Sequence, residues 1–155
     1  RALEAVPADR LSAVVVVTQY PEVAALAKAF GFTPIVNSHP GYGQSHTIHL
    51  GVRALEHCDA LLFQVADQPL LRRESVARLI DFYGRNPGHI VGLGHGGQRG
   101  NPCIFPARFS PELLKVEGDR GGNVVIRQHE SDLLLYEVPA DELRDVDTQA
   151  ELAQL

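Results

Sequence analysis

Apolar residues run without a break through Val14-Val15-Val16-Val17, and a second run, Leu61-Leu62-Phe63-Gln64-Val65, stops at Ala66-Asp67-Gln68-Pro69. Continuous apolar runs suit strands buried on both faces of a parallel sheet, where no polar face is needed. Ala13 to Thr18 and Ala60 to Val65 are therefore predicted as strands. Pro21 suits the first turn of a helix running to about Phe30 and closing at Gly31. Thr33 to Val36 is predicted as a short strand, and the Gly and Pro content of residues 37–44 predicts a loop. Ile48, Val52 and Leu55 recur at i, i+4 and i+7, predicting a helix capped by Ser45 and ending near His57.

Beyond Pro69 the pattern predicts a helix from about Arg73 to Tyr83, broken by Gly84 and Pro87, and a strand from His89 to Leu93. The glycines between Gly92 and Gly100 predict a mobile or tightly turned loop, followed by a short strand from Cys103 to Phe105. Ser110-Pro111-Glu112 reads as the capped start of a helix, and Gly118-Asp119-Arg120-Gly121-Gly122 as a sharp turn into a short helix from Asn123 to His129. Leu133 to Val138 is a further strand, and Thr148-Gln149-Ala150-Glu151 matches a capping box for a closing helix. At the other end, Arg1 to Val6 reads as the last turns of a helix whose earlier part is missing. Strands alternating with helices, with few hairpin signals, predict an α/β fold with a mainly parallel sheet covered on both faces.

The 155 residues and 45% apolar content allow one compact domain spanning 1–155. A net charge of -5 argues against nucleic acid as a partner, which would need clustered Lys and Arg. The two cysteines, Cys58 and Cys103, have no Cys-x-x-Cys pairing, which fits a reducing cytoplasmic setting better than a disulfide scaffold or zinc ribbon. No stretch approaches the roughly 20 apolar residues that span a bilayer, and no basic-then-apolar leader is seen, so no membrane partner is expected.

Ligands of open α/β sheets bind beyond the carboxyl ends of the strands. That rule selects Asp67, the glycine-rich loop before Gly100, and Asp145-Val146-Asp147. Two converging carboxylates suit magnesium, a hard cation with oxygen ligands, and Asp67 and Asp147 are the expected pair. Equally, Asp67 could cap the turn after its strand while Asp147 is simply solvated. The Gly41-Tyr42-Gly43-Gln44-Ser45 loop opens a helix and could offer its N–H groups to an anion, or be a plain connector. Asp119 could be presented to a substrate, or could belong to an ordinary helix-ending turn. His46 and His49 stand three apart and could share a metal with His95, but no acidic or Cys partner stands at a metalloenzyme spacing, which disfavours zinc.

Ala66-Asp67-Gln68-Pro69, Gly100-Asn101-Pro102, Gly118-Asp119-Arg120-Gly121-Gly122 and Asp145-Val146-Asp147-Thr148 occur in an order and spacing that resembles the molybdenum cofactor cytidylyltransferase group of nucleotidyltransferases. The resemblance spans Ala13 to Leu155. It implies a Rossmann-like three-layer α/β/α sandwich of the nucleotide-diphospho-sugar transferase type. It also implies transfer of CMP from CTP to molybdopterin carrying molybdenum, with release of pyrophosphate and Mg2+ as cofactor. Asp67 and Asp147 would be the catalytic and metal-binding residues, and Gly43, Gln44, Ser45, Gln68 and Pro69 would lie by the nucleotide. Gly100, Asn101, Pro102 and Asp119 would face the pterin-bearing substrate, and a molybdoenzyme could be the final acceptor.

Two departures accompany the resemblance. The family's glycine-rich triphosphate loop has no counterpart in Arg1 to Arg10, so the domain is expected to be incomplete at its N-terminus. Ser45-His46-Thr47 replaces a run of small hydroxyl residues. Gln68 resembles the cytidylyl branch more than the guanylyl branch. The alternatives are a guanylyltransferase using GTP, and a non-catalytic protein that binds or delivers the molybdenum cofactor.

Overall fold

A computed structural model describes residues 1–155. In chain order its elements are β1 (Val15–Thr18), α1 (Pro21–Ala29), β2 (Thr33–Val36), α2 (Gln44–Ala54), β3 (Ala60–Phe63) and α3 (Arg73–Arg85). They continue with β4 (Ile90–His95), β5 (Gln98–Pro106), α4 (Ser110–Leu113), α5 (Asn123–Gln128), β6 (Leu133–Glu137) and α6 (Gln149–Ala153). The chain divides into two compact units, one of Leu11–Leu61 and Phe105–Ser131, the other of Arg1–Arg10, Leu62–Ile104 and Asp132–Leu155.

In the first of these units β1 and β2 pair in parallel, from Val15 opposite Thr33 to Thr18 opposite Val36. α1 provides the crossover that a parallel pair requires. It ends as its sequence predicts. Gly31 takes φ +80°, its N–H bonds the Lys28 carbonyl, and the Phe32 N–H returns to the Ala27 carbonyl, a pattern that satisfies two end carbonyls of the helix. The valine run was expected to be enclosed on both faces. Every residue of β1 is instead half-buried, because its sheet has only two strands and leaves it an edge. The buried residues of this unit include Ala27, Phe32, Val52, Leu113, Val125 and Phe109, which is 1% exposed and meets Phe105 and His129 edge-on. Burial of such a ring contributes about 2–3 kcal/mol. Ser110 does not cap α4. That helix is only four residues long and continues directly from a 3-10 turn at Ala107–Phe109, with no side-chain cap.

The other unit holds a sheet in the order β3-β5-β4-β6. β6 lies parallel to β4, Ile90 opposite Leu133, whereas β5 lies antiparallel to it, Val91 opposite Ile104. The glycine-rich stretch is thus a hairpin, not a loop, and β5 extends well beyond Cys103 to Phe105. Gly96 and Gly97, at φ +58° and +80°, form its tip, where two consecutive positive φ angles match the strand twist. Gly92 and Gly94 sit inside β4, where the turn-forming reputation of glycine misleads. α3 buries Val76 and Leu79 and packs on β4. Arg1 to Val6 forms turns rather than a helix end, and Gln64 donates to the Ala2 carbonyl at 2.7 Å. Ion pairs of Arg10 with Asp81 and Arg73 with Asp9 join residues 9–10 to α3.

Candidate functional site

Residues 66–69 follow β3, and the chain returns to them through the segment between β6 and α6. The Val146 N–H donates to the Asp67 carbonyl at 2.8 Å. Gln68, 3% exposed, turns its amide inward and donates to the Leu143 carbonyl at 3.3 Å and to Asp145 Oδ1 at 3.2 Å. Its Oε1 is buried with no partner. Gln68 was expected beside the nucleotide. The structure commits its amide group to holding the 143–145 segment, because the residue after the exposed Asp67 points back into the fold.

The consequence is electrostatic. The Asp67 carboxyl is raised above its ordinary value, first by partial burial, then by the Asp145 carboxylate and after it by Asp147. Asp67 as a whole residue is exposed, so solvent moderates the shift. Asp147 is held from the other side by the capping box of α6. Thr148 Oγ1 accepts from the Glu151 N–H at 3.2 Å, and Glu151 Oε2 accepts from the N–H groups of Asp147 and Thr148 at 2.9 and 3.1 Å. These bonds hold the Glu151 carboxyl below its ordinary value.

Asp145, which the reading by motif passed over in favour of Asp147, acts on the Asp67 carboxyl more strongly than Asp147 does. Its position in the same Asp-Val-Asp motif was the available signal. Glu142 was also missed. It is 1% exposed, its Oε2 accepts the Arg72 N–H at 3.1 Å and its Oε1 the Ser75 hydroxyl at 3.0 Å. A buried carboxylate thereby satisfies the N-terminus of α3 and anchors the chain just before the aspartates.

No group of three or more His, Cys, Asp or Glu side chains stands ready-made around a metal-sized point. The chemistry of the donors still fits magnesium, which is commonly held by one or two carboxylates together with substrate phosphates. Around the same segment, Gly100 packs against Leu143, where an added Cβ would come within 2.9 Å of Leu143 Cδ2. Asn101 is half-buried and forms a cis peptide with Pro102. Pro102, expected at the substrate, has a fully buried side chain, because β5 carries it into the core. Pro69 is half-buried in the turn leading to Leu71.

In the other unit a cavity of about 310 Å³ is lined by Thr18, Tyr20, Asn37, Gln44, Thr47 and Asp119 among others. Ser45 is not the cap of α2. Gly43 is the N-cap, and the Gly118-Asp119 turn supplies the bonding partners: Asp119 Oδ1 accepts the Gln44 N–H at 3.2 Å, and the Gly118 carbonyl accepts the Ser45 N–H at 3.2 Å and the Ser45 hydroxyl at 2.7 Å. The His46 N–H bonds the Gly43 carbonyl at 3.2 Å. The first N–H groups of α2 therefore already have acceptors, and the anion site expected there is filled by the chain's own carboxylate and carbonyl oxygens. Gln44 and Asp119, expected to serve two different ligands, line one cavity. His46 sets its ring edge-on to Tyr42, which stacks on His39 at 4.6 Å.

Residues 1–133 match the MobA-like NTP transferase domain. The chain belongs to that family. As a MobA-like domain it shares its fold with solved nucleotidyltransferases. A nucleotidyl transferase from Methanothermobacter thermautotroptrophicus superposes with a TM-score of 0.80 at 17% identity, covering 99% of this chain and 76% of that one. Molybdopterin-guanine dinucleotide biosynthesis protein A from Archaeoglobus fulgidus gives 0.62 at 17% identity, over 90% and 75% of the two chains. A cytidylyltransferase from Leptospira borgpetersenii gives 0.68 at 18% identity, over 97% and 72%. No curated protein sequence matches the chain. The mixed α/β fold expected from the sequence is thus that of the nucleotidyltransferases, and no helix of this MobA-like domain is long and apolar enough to cross a membrane.

Proposed function

We propose that this MobA-like domain transfers the cytidylyl group of CTP to the terminal phosphate of molybdopterin carrying molybdenum, with Mg2+ as cofactor. The observation that carries the reading is the Val146 to Asp67 backbone bond, which ties the Asp145-Val146-Asp147 segment to the turn after β3, where the charges of both aspartates act on the Asp67 carboxyl. A carboxylate whose proton affinity is raised by burial and neighbouring negative charge is unfavourable in isolation and becomes favourable beside a divalent cation.

In the reaction, an oxygen of the acceptor phosphate attacks the α-phosphorus of CTP. The bond from that phosphorus to the oxygen bridging the β-phosphate breaks, and its electron pair leaves with pyrophosphate. Both reactants are polyanions, so alignment and screening of charge supply most of the catalysis. Mg2+, when bound, neutralises charge on the transferring phosphoryl group. Asp67 and Asp147 would hold it, with Asp145 engaged by Gln68 and lending its charge. In the same unit as these aspartates, Gly100, Asn101 and Pro69 would border the acceptor; in the other unit, the cavity shared by Gly43, Gln44 and Asp119 would take a nucleotide base. Support for cytidylyl over guanylyl transfer comes from the Gln68 resemblance.

Isothermal titration of the chain with CTP, with and without Mg2+, tests the reading. Binding that requires the cation, followed by pyrophosphate release when molybdopterin is added, is the expected result. Cation-independent binding of the cofactor without any affinity for CTP would replace it with the carrier reading, and a preference for GTP would move the protein to the guanylyl branch.

A further inference from the structure

We infer that Asp119 is a specificity-determining residue, selecting for the cavity beside α2 a flat heterocycle that carries an exocyclic amine next to an acceptor ring nitrogen. This rests on the nucleotide-binding reading above and deepens it.

Asp119 is the only charged side chain lining the cavity, with no Lys or Arg to balance it. A phosphate group entering there would meet a carboxylate, and the α2 N–H groups that might have received it are bonded to Asp119, Gly118 and Gly43. The cavity therefore suits the uncharged end of a ligand. Asp119 Oδ1 is used by the Gln44 N–H, which leaves Oδ2 as an acceptor that can only be matched by a donor.

The same lining also holds a donor, Thr47. The His39 N–H bonds Asn37 Oδ1 at 2.9 Å, which assigns the amide orientation and points Nδ2 at Thr47 Oγ1, 3.2 Å away. With its oxygen accepting from Asn37, the Thr47 hydroxyl has its proton to give to a ligand. Acceptor at Asp119 and donor at Thr47 complement an amine beside a ring nitrogen. The amine stands clear of the ring and is the group that reaches a carboxylate at the wall. Val17, Pro40 and the half-exposed ring of Tyr20 offer surfaces for a flat ring.

Cytosine has this edge, and so does the pyrimidine ring of a pterin, so the test separates the two. The whole chain is titrated with CTP and with its 4-desamino analogue in Mg2+, and with 6-hydroxymethylpterin and the corresponding lumazine, whose carbonyl replaces the amine. Loss of the amine is expected to weaken binding about tenfold in whichever pair uses the cavity. Asp119→Asn keeps an oxygen for the Gln44 N–H and presents its NH2 to the ligand, so the preference should fall to within about twofold. The ligand comparison on the unaltered chain stands whether or not that variant folds.

Equal binding of amine and desamino partners by the unaltered chain, or a preference untouched by Asp119→Asn in a folded variant, would overturn the assignment. Amine-dependent pterin binding with no affinity for CTP would sink the nucleotide reading and leave the role of Asp119 in place. Amine-dependent CTP binding supports both.

Discussion

The Val146 N–H donates to the carbonyl of Asp67 at 2.8 Å, and the residues on either side of that donor are the aspartates whose charges raise the Asp67 carboxyl. One backbone bond thus sets the register between two segments nearly eighty residues apart, and with it the separation of the acidic side chains. Its effect on proton affinity leads to the first prediction.

A carboxyl raised in the folded state binds its proton more tightly there than in the unfolded chain. Its contribution to stability is present at low pH and declines as pH rises from the ordinary carboxylate value through the raised one. Asp67→Asn removes that repulsion. The variant should melt at or slightly above the parent temperature near neutral pH, show a shallower loss of stability as pH is raised through the carboxylate range, and bind Mn2+ at least about tenfold more weakly. A melting temperature lowered by several degrees at neutral pH would contradict the repulsion.

Gln68→Leu keeps the buried volume and removes both bonds to the 143–145 segment, along with the unpartnered Oε1. Lost bonds and relieved desolvation nearly offset, so stability should change by no more than about 1 kcal/mol. Asp145 then lacks its anchor, and Mn2+ affinity, read by electron paramagnetic resonance, should fall about threefold to tenfold. An unchanged affinity would reduce Gln68 to a packing residue.

At Gly43 the φ angle is +89°, and an added Cβ would lie 2.5 Å from the Gly118 carbonyl oxygen and 2.8 Å from the Asp119 nitrogen. Gly43→Ala must push the Asp119 turn off α2. The expected cost is about 2–3 kcal/mol, or a fall of about 5–10 °C in melting temperature, together with weakened CTP binding.

Glu142→Ala leaves the Arg72 N–H and the Ser75 hydroxyl without their acceptor inside the fold. A loss of about 2–4 kcal/mol is expected in denaturant titration, and Glu142→Gln, which retains oxygen for one of the two donors, should lose less. Equal stability of parent and both variants would show that the buried carboxylate is not holding α3.

The local punctuation of the chain was legible. Pro21 and Gly31 mark the ends of α1, the box at Thr148 and Glu151 opens α6, and Asp67 is recognisable where an apolar strand stops. The hairpin of β4 and β5 was not legible, because five glycines look alike in sequence although two form its tip and three lie inside strands. Ser45 and Ser110 carry capping side chains, and neither caps: one is engaged by Gly118 and the other follows a 3-10 turn that leaves it nothing to cap.

Sequence by itself determined the alternation of strands and helices, the family, and the acidic and glycine-rich motifs, since these depend on neighbours within a few residues. Tertiary structure decided which partner each motif meets: Asp145 bonded by the inward-turned Gln68 and acting on Asp67, Asp119 seated on the first turn of α2. Hydrogen bonds and charges act through space over a few ångströms, and only folding brings residues so distant in the chain to that range.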